Sequence, residues 1–188
     1  EHTLIPRPET EELVQWILEH EFTSALDIGT GTGCIPIALK KNKDAEISAT
    51  DVSESALSVA KENAKINEVE INFLLQDILK TTTLPKVDVI ISNPPYVLDM
   101  EKEFILANVL DNEPHLALFV PDNNPLLFYK KIADLAFTSL SKNGLIFFEI
   151  NERFGKETVA MLSAIGFVDI ELKKDINDKD RMLKAIKK

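Results

Sequence analysis

A short apolar strand that leads directly into three alternating glycines is the feature that most constrains this sequence. Residues 24–28 form the predicted strand, and Gly29-Thr30-Gly31-Thr32-Gly33 follows before a helix that runs to about residue 40. Glycines in such a loop let the backbone turn sharply and approach a ligand at the helix N-terminus. The strict alternation differs from the dinucleotide fingerprint G-x-G-x-x-G, because residue 34 is Cys34. The loop therefore favours a ligand without a pyrophosphate, with a purely structural loop as the alternative.

Strands and helices alternate along the rest of the chain, which predicts a parallel sheet with helices on both faces and right-handed crossovers. The last two predicted strands are joined by a polar stretch and are expected to form an antiparallel hairpin. Asn124 and Pro125 are expected to open a helix, Asn143-Gly144 to form a turn, and Gly166 to end a helix. The other predicted strands lie at 46–51, 71–77, 87–92, 145–150, 167–174 and 181–186, and the other helices at 9–21, 54–67, 124–140 and 155–165.

Carboxylates stand at the ends of the second and third predicted strands. Asp51 can accept hydrogen bonds from both hydroxyls of a ribose when it is combined with a glycine loop. Asp77 can accept from an adenine amino group, while Ile78 offers the same ring an apolar face and a backbone N–H. The alternatives are a surface acid at Asp51 and a helix-capping or loop acid at Asp77. Together with the glycine loop, the two carboxylates indicate a nucleoside site.

The fourth predicted strand ends in Asn93-Pro94-Pro95-Tyr96. The two prolines stop the strand abruptly, because neither donates a backbone hydrogen bond and each fixes its own φ. An amide oxygen and proline carbonyls without ladder partners can accept both hydrogens of a planar NH2 group while the tyrosine ring stacks on its face. A plain proline-rich turn is the alternative. At the carboxyl edge of an α/β sheet, where ligands bind, the motif predicts a grip on an NH2 group beside the nucleoside.

Composition narrows the class of protein. The 188 residues are expected to form one domain, and the formal net charge of −10 argues against non-specific nucleic-acid binding. One cysteine and three scattered histidines provide neither a disulfide framework nor metal-ligand spacing, so no metal is expected and a reducing compartment fits. There is no apolar run long enough for a membrane span and no visible signal peptide. The chain begins with Glu1, as a piece of a longer protein would.

These motifs together resemble a class I S-adenosylmethionine-dependent methyltransferase, and more narrowly the HemK/PrmC family, which methylates a glutamine side-chain amide in peptide chain release factors. The resemblance covers almost the whole chain. Asn-Pro-Pro-Tyr alone is shared with nucleic-acid amino-methyltransferases, whereas its combination with Ile-Pro-Arg-Pro-Glu-Thr is much narrower. The matching residues are 4–11, 26–34, 92–96, 113–118 and 149–150.

The resemblance implies a Rossmann-like, mostly parallel seven-stranded sheet with helices on both faces and a C-terminal antiparallel hairpin. It implies that Gly29 to Gly33 cradle the methionine part of S-adenosylmethionine, Asp51 binds the ribose, and Asp77 with Ile78 binds adenine. Asn93 would lie beside the cofactor. Its side chain and the Pro94 carbonyl would accept the amide hydrogens of the substrate glutamine, with Pro95 and Tyr96 completing the catalytic segment and Tyr96 packing on the amide plane. S-adenosylhomocysteine would be the product.

The family also implies an N-terminal helical domain that this sequence lacks, so residues 1–188 are interpreted as a single catalytic domain. Residues 1–22 would form an extended segment and a helix leading into it. The expected partner is a release factor, with no direct nucleic-acid or membrane contact, and the expected state is a cytoplasmic monomer. Two alternatives remain: a DNA or RNA methyltransferase acting on exocyclic amino groups of adenine or cytosine, and a non-catalytic cofactor-binding module.

Overall fold

The computed structural model describes residues 7–98, 100 and 119–188. Its α-helices are α1 (Pro8–Leu18), α2 (Cys34–Asn42), α3 (Glu54–Ile66), α4 (Leu127–Ser139) and α5 (Gly155–Ile165). Its strands are β1 (Ser24–Ile28), β2 (Glu46–Asp51), β3 (Asn72–Leu75), β4 (Val87–Ser92), β5 (Val97–Leu98), β6 (Phe119–Val120), β7 (Leu140–Glu149), β8 (Val168–Lys174) and β9 (Asp180–Ile186). The matching residues 4–6 and 113–118 lie outside the described part of the chain.

Seven strands form one sheet in the order β3-β2-β1-β4-β7-β9-β8. The pairs among β3, β2, β1, β4 and β7 are parallel, whereas β9 runs antiparallel to both β7 and β8. This arrangement confirms the predicted mostly parallel sheet with a C-terminal antiparallel hairpin. Strands β2 and β3 lie on one side of β1, and β4 and the later strands lie on the other, so the topological switch point is between β1 and β4. In open α/β sheets, ligands bind outside the carboxyl ends of the strands at such a point.

Two apolar layers cover the two faces of the sheet. On one face, α1 and α2 bury Leu13, Ile17 and Leu39 against central strand residues such as Ile91. On the other face, α4 and α5 bury a second cluster that includes Ile132. Apolar residues at helical spacing thus give each helix one buried stripe. Across the described segments, no helix combines the length and apolar character that crossing a membrane requires.

The helix and strand boundaries follow local chemistry where it is strong. Ser53 precedes α3, and its hydroxyl accepts a hydrogen bond from the backbone N–H of Ala56 at 3.2 Å, as predicted for an N-cap. Gly166 ends α5 with φ +114°, which also agrees with the prediction.

Several predicted boundaries are wrong: α1 ends at Leu18 rather than at about residue 21, and β7 begins at Leu140 rather than at residue 145. Helix α4 begins at Leu127, so Asn124 and Pro125 do not serve as its N-cap and first residue. Instead, the Asn124 N–H donates to the Pro121 carbonyl at 3.0 Å, which closes a separate turn before the helix. Strand β3 ends at Leu75, because Asp77 already begins a turn in which its carbonyl accepts from the Lys80 N–H at 3.1 Å.

The predicted turn at Asn143-Gly144 lies inside β7. The Asn143 N–H donates to the Lys187 carbonyl at 2.8 Å, and the Lys187 N–H donates to the Gly144 carbonyl at 2.9 Å, so pairing continues on the β9 side. On the β4 side the register shifts between Val87 and Val89. Asn143 has φ +63° at this irregularity, so the two turn-forming residues make a bulge rather than a chain reversal.

Candidate active site

The glycine loop lies between β1 and α2 at the carboxyl edge of the sheet. All three of its glycines have positive φ: +77° at Gly29, +56° at Gly31 and +79° at Gly33. A Cβ added at Gly29 or Gly31 would meet no atom within 4 Å, whereas one at Gly33 would lie 3.1 Å from the Ala60 Cβ. The first two glycines therefore border open space, and the third lets α2 pack closely on α3. This is the geometry of a backbone cradle that a ligand can approach.

Asp51, at the end of β2, is held by the backbone of the neighbouring segments. Its Oδ2 accepts from the Gly31 N–H at 2.9 Å, and its Oδ1 accepts from the Ser53 N–H at 2.9 Å. The predicted glycine loop and the predicted carboxylate therefore touch each other. Directly after Asp51, Val52 is 47% exposed. Its apolar face at this edge was missed by sequence reasoning, although its position directly after a strand-ending carboxylate could have pointed to it.

Asp27 is the least expected feature of the site. It lies in β1 two residues before Gly29, is 1% exposed, and neither of its carboxylate oxygens has a hydrogen-bond partner in the described structure. The buried Thr30 hydroxyl is also unpartnered there. Burial raises the pKa of Asp27 to about 7; the nearby Thr30 hydroxyl partly offsets this rise, and the negative charge of Asp51 adds to it. A carboxylate is costly to bury without a partner, so this pair fits a cationic or hydrogen-bonding ligand in the cradle.

Asp77 and Ile78 lie at the same edge, beyond the end of β3. The Asp77 carboxylate accepts from the Leu79 N–H at 3.0 Å and pairs with the Lys80 ammonium at 3.0 Å. The hydrogen bond from Lys80 is the largest of the effects that lower the pKa of Asp77. These contacts are those of an acid that caps a turn, which is the alternative interpretation of this residue. Ile78 is partly buried and packs against the apolar cluster under α4 and α5.

Asn93 follows β4 next to the glycine loop. The register pairs Ser92 with Ile28, and the Ser92 hydroxyl donates to the Ile28 carbonyl at 2.6 Å, so Asn93 follows β4 at the level where Gly29 follows β1. The Asn93 side chain is half-buried, and it forms no hydrogen bond in the part of the chain that the structure describes. Pro94 is buried behind it. A side-chain amide that forms no hydrogen bond to a described residue and lies beside the open glycine loop is suited to bind a ligand.

Hydrogen bonds with Glu149 and Asn151 hold Tyr96 in place. Its hydroxyl donates to Glu149 Oε1 at 3.3 Å, and its carbonyl accepts from the Asn151 side chain at 3.0 Å. Glu149 Oε2 accepts from the Thr10 hydroxyl at 2.8 Å. Burial raises the pKa of Glu149, and burial together with the Glu149 charge raises the pKa of Tyr96 to about 12. Glu149 and Thr10 belong to matching motifs, but sequence reasoning gave neither residue a role at this site.

The chain is similar to known methyltransferases in sequence and in fold. Residues 8–117 match the family model described as the methyltransferase small domain. The chain is 53% identical to the release factor glutamine methyltransferase of Flavobacterium psychrophilum, over 98% of this chain and 68% of that protein. It is 46% identical to the protein of the same name from Bacteroides thetaiotaomicron, over 97% of this chain and 67% of that protein.

A solved methyltransferase from Pyrococcus furiosus superposes with a TM-score of 0.74 and 19% identity, over 98% of this chain and 85% of that chain. That likeness supports the fold alone. The curated relatives are much closer in sequence, and the chain covers about two thirds of their length. The chain therefore belongs to the release factor glutamine methyltransferase family, within the S-adenosylmethionine-dependent methyltransferases.

Proposed function

We propose that this chain transfers a methyl group from S-adenosylmethionine to the side-chain amide nitrogen of a glutamine in a peptide chain release factor. The observation that carries the proposal is the Asn93 amide, which makes no hydrogen bond to any described residue and follows β4 at the level where the glycine loop follows β1. The names of the curated relatives support the class of substrate. When bound, S-adenosylmethionine supplies an electrophilic methyl group on a positively charged sulfur.

The cofactor side of the site is built for a cationic nucleoside. Asp27, buried and unpartnered, gives a counter-charge for the positive groups of the methionine moiety, with the Thr30 hydroxyl as a further hydrogen-bonding group. We assign the open cradle of Gly29 to Gly33 to that moiety and Asp51 to the ribose hydroxyls. Val52 and Ile78 offer apolar surface to the adenine, and Asp77 accepts from its amino group. Each assignment uses a residue at the carboxyl edge of the sheet.

The acceptor side is built for a planar NH2 group. The Asn93 side-chain oxygen and the Pro94 carbonyl accept its two hydrogens, and Pro95 limits the backbone freedom of the segment. Tyr96 offers its ring to the amide plane while Glu149 holds its hydroxyl. An amide nitrogen is a weak nucleophile because its lone pair is delocalised into the carbonyl. Alignment of that nitrogen can supply much of the acceleration, and two acceptors on its hydrogens favour the positive charge that develops there.

The organisation that accompanies this function is also a proposal. We assign residues 1–188 to one catalytic domain, because the central sheet includes strands from Ser24 to Ile186 and α1 packs on the same sheet. The expected state is a cytoplasmic monomer. The net charge of −10 supports a protein substrate over a nucleic acid, whose phosphates require a basic surface.

One assay tests the function. The chain is incubated with radiolabelled S-adenosylmethionine and, in parallel, with a release factor, DNA and RNA. The matched control is the same release factor with its acceptor glutamine replaced by alanine. Label in the release factor but not in its alanine variant supports the proposal. Label in DNA or RNA alone contradicts it and supports an exocyclic amino-methyltransferase, while cofactor binding without any transfer supports a non-catalytic module.

A further inference from the structure

We infer that Glu149 is a positioning residue for the proposed reaction: its buried carboxylate fixes Tyr96 relative to the first turn of α1 and so sets the geometry of the Asn93–Tyr96 segment. The inference rests on the proposed function. Glu149 is 1% exposed, at the carboxyl end of β7. Among the described contacts, its side chain forms no hydrogen bond to Asn93. It therefore acts on the acceptor amide through Tyr96.

The two carboxylate oxygens of Glu149 accept hydrogen bonds from two segments that are distant from it in sequence. Oε2 accepts from Thr10 in the first turn of α1 at 2.8 Å, and Oε1 accepts from Tyr96 at 3.3 Å. Thr10 and Tyr96 lie 139 and 53 residues away from Glu149 in sequence. One side chain thus joins the N-terminal helix, the central sheet and the acceptor segment.

The backbone beneath Glu149 is itself fixed, so its carboxylate has a defined position. The buried Tyr129 hydroxyl of α4 donates to the Glu149 carbonyl at 3.2 Å, and the Tyr129 ring packs edge-on against Phe148 with centroids 5.2 Å apart. On the other side, the Arg181 guanidinium donates to the Ile150 carbonyl at 3.1 Å. These contacts come from α4 and β9, and they do not depend on Tyr96 or Thr10.

A carboxylate suits this role better than other groups of the same size. An ionised carboxylate only accepts hydrogen bonds, so it can bind two hydroxyl donors at once. A glutamine amide has one accepting oxygen and one donating nitrogen, so one of the two hydroxyls would have to reverse its role. An apolar side chain would leave the Tyr96 and Thr10 hydroxyls without this partner in a buried site, where that loss is costly. Burying an acid is also costly, and the site proposed above uses Glu149 for no chemical step.

The test compares turnover, cofactor binding and stability in a series of variants. Glu149→Met is expected to lower kcat on the release factor roughly 30-fold, and Glu149→Gln only about fivefold because its oxygen still accepts from one hydroxyl. The dissociation constant for S-adenosylmethionine should stay within about twofold in both variants, because Glu149 lies outside the cofactor cradle. Ser139→Ala is the matched control, since it removes another buried hydroxyl hydrogen bond, to the Leu84 carbonyl, at the opposite edge of the sheet. It should leave kcat within about twofold.

A cycle of substitutions separates positioning from general destabilisation. Thr10→Val and Tyr96→Phe should each lower kcat about five- to tenfold, and the double variant should be no more than about twofold worse than the poorer single variant. Both effects pass through the same carboxylate, so they should not multiply. This cycle keeps Glu149 in place, so it decides the question even if Glu149→Met fails to fold.

The outcomes are distinct from those of the function test. Wild-type turnover in Glu149→Met, equal losses in Glu149→Met and Glu149→Gln, or multiplicative losses in the Thr10 and Tyr96 cycle would each overturn the inference. A wild-type chain that binds S-adenosylmethionine but methylates no release factor would instead overturn the proposed function. A graded loss from Glu149→Gln to Glu149→Met with unchanged cofactor binding supports the positioning role.

Discussion

Asp27 and Glu149 are both acids with 1% exposure, and both lie in parallel strands of the same sheet near its carboxyl edge. Their surroundings are opposite. Glu149 has a hydroxyl donor on each oxygen, whereas Asp27 has none among the described residues. Burial raises the pKa of both carboxyl groups, and that of Asp27 reaches about 7. The described residues provide hydrogen-bond partners for Glu149 and none for Asp27.

The difference separates the two halves of the site. In the cofactor half, an open cradle and a buried acid without a partner gain contacts only when a ligand enters. In the proposed acceptor half, hydrogen bonds already join Tyr96 and Thr10 to Glu149, whereas the Asn93 side chain forms none to a described residue. Cofactor binding to the first half is therefore expected to stabilise the folded chain. The acceptor half is expected to be preorganised for rapid methyl transfer.

Asp27→Asn should produce the largest effect. Below pH about 4 the carboxyl is protonated in both the folded and the unfolded chain, so it contributes nothing to the pH dependence. Between about 4 and 7 it ionises only when unfolded, so the free energy of unfolding falls as pH rises. A pKa raised from 3.8 to about 7 corresponds to roughly 4 kcal/mol. Urea titrations of the ligand-free chain from pH 4 to 8 should show this slope, and Asp27→Asn should flatten it.

The same variant should bind the cofactor more weakly. Loss of a charge-assisted contact predicts a dissociation constant for S-adenosylmethionine raised roughly 30-fold. Calorimetry of the wild-type chain at pH 6 in two buffers of different ionisation enthalpy should reveal proton release on binding, since a cationic ligand favours ionised Asp27. A slope that persists in Asp27→Asn, or unchanged affinity, would show that the unpartnered acid does not serve the ligand.

Asn93→Ala tests the acceptor half and should come next. Loss of one preorganised polar contact predicts turnover at least about a hundredfold lower. Cofactor affinity should stay within about tenfold, because the cradle and its carboxylates are intact. Single-turnover assays with saturating cofactor measure the first quantity and calorimetry the second. If cofactor affinity fell as far as turnover, Asn93 would belong to the cofactor half, and the division of the site into two halves would be wrong.

The sequence predicts the two halves unequally well. Local patterns are sufficient for the glycine loop, for the capping hydrogen bond at Ser53 and for the alternation of strands and helices along the chain. They fail at Asn143-Gly144, because pairing with the chain end at Lys187 keeps a turn-prone pair inside β7. They also miss the contact between Thr10 and Glu149, since 139 residues separate the partners.

Partner satisfaction is a further property that residue identity does not reveal. In the sequence, Asp27 and Asp51 are both aspartates near the glycine motif. Of the two, only Asp51 accepts hydrogen bonds from backbone N–H groups, those of Gly31 and Ser53. Whether a carboxylate is satisfied depends on which backbone N–H groups and side-chain hydroxyls the folded chain brings to it. A one-dimensional pattern therefore predicts where acids gather, and the packed structure is needed to show which of them lacks a partner.

Gly33→Ala and Gly31→Ala compare the closed and open ends of the cradle. Alanine at Gly33 combines a φ of +79° with a Cβ 3.1 Å from the Ala60 Cβ. It should lower the free energy of unfolding by roughly 2 kcal/mol or more. Alanine at Gly31 meets open space, so about 1 kcal/mol of backbone strain is expected there, together with weaker cofactor binding. Thermal unfolding with and without S-adenosylmethionine checks both variants, and equal losses would mean that the cradle is not open at Gly31.

Asp77→Asn should have the smallest effect and gives the sharpest test of the comparison. Asp77 lies at the proposed cofactor edge, but its carboxylate already has the Leu79 N–H and Lys80 as partners, so it resembles Glu149 more than Asp27. The ion pair is exposed, with 86% of the Lys80 side chain accessible, so the free energy of unfolding should change by less than about 1 kcal/mol. Because the Asp77 carboxylate already has partners, the dissociation constant for S-adenosylmethionine should rise only about threefold, as for loss of one modest hydrogen bond. A rise as large as that in Asp27→Asn would mean that the cofactor displaces Lys80, and that existing partners do not limit what an acid contributes to cofactor binding.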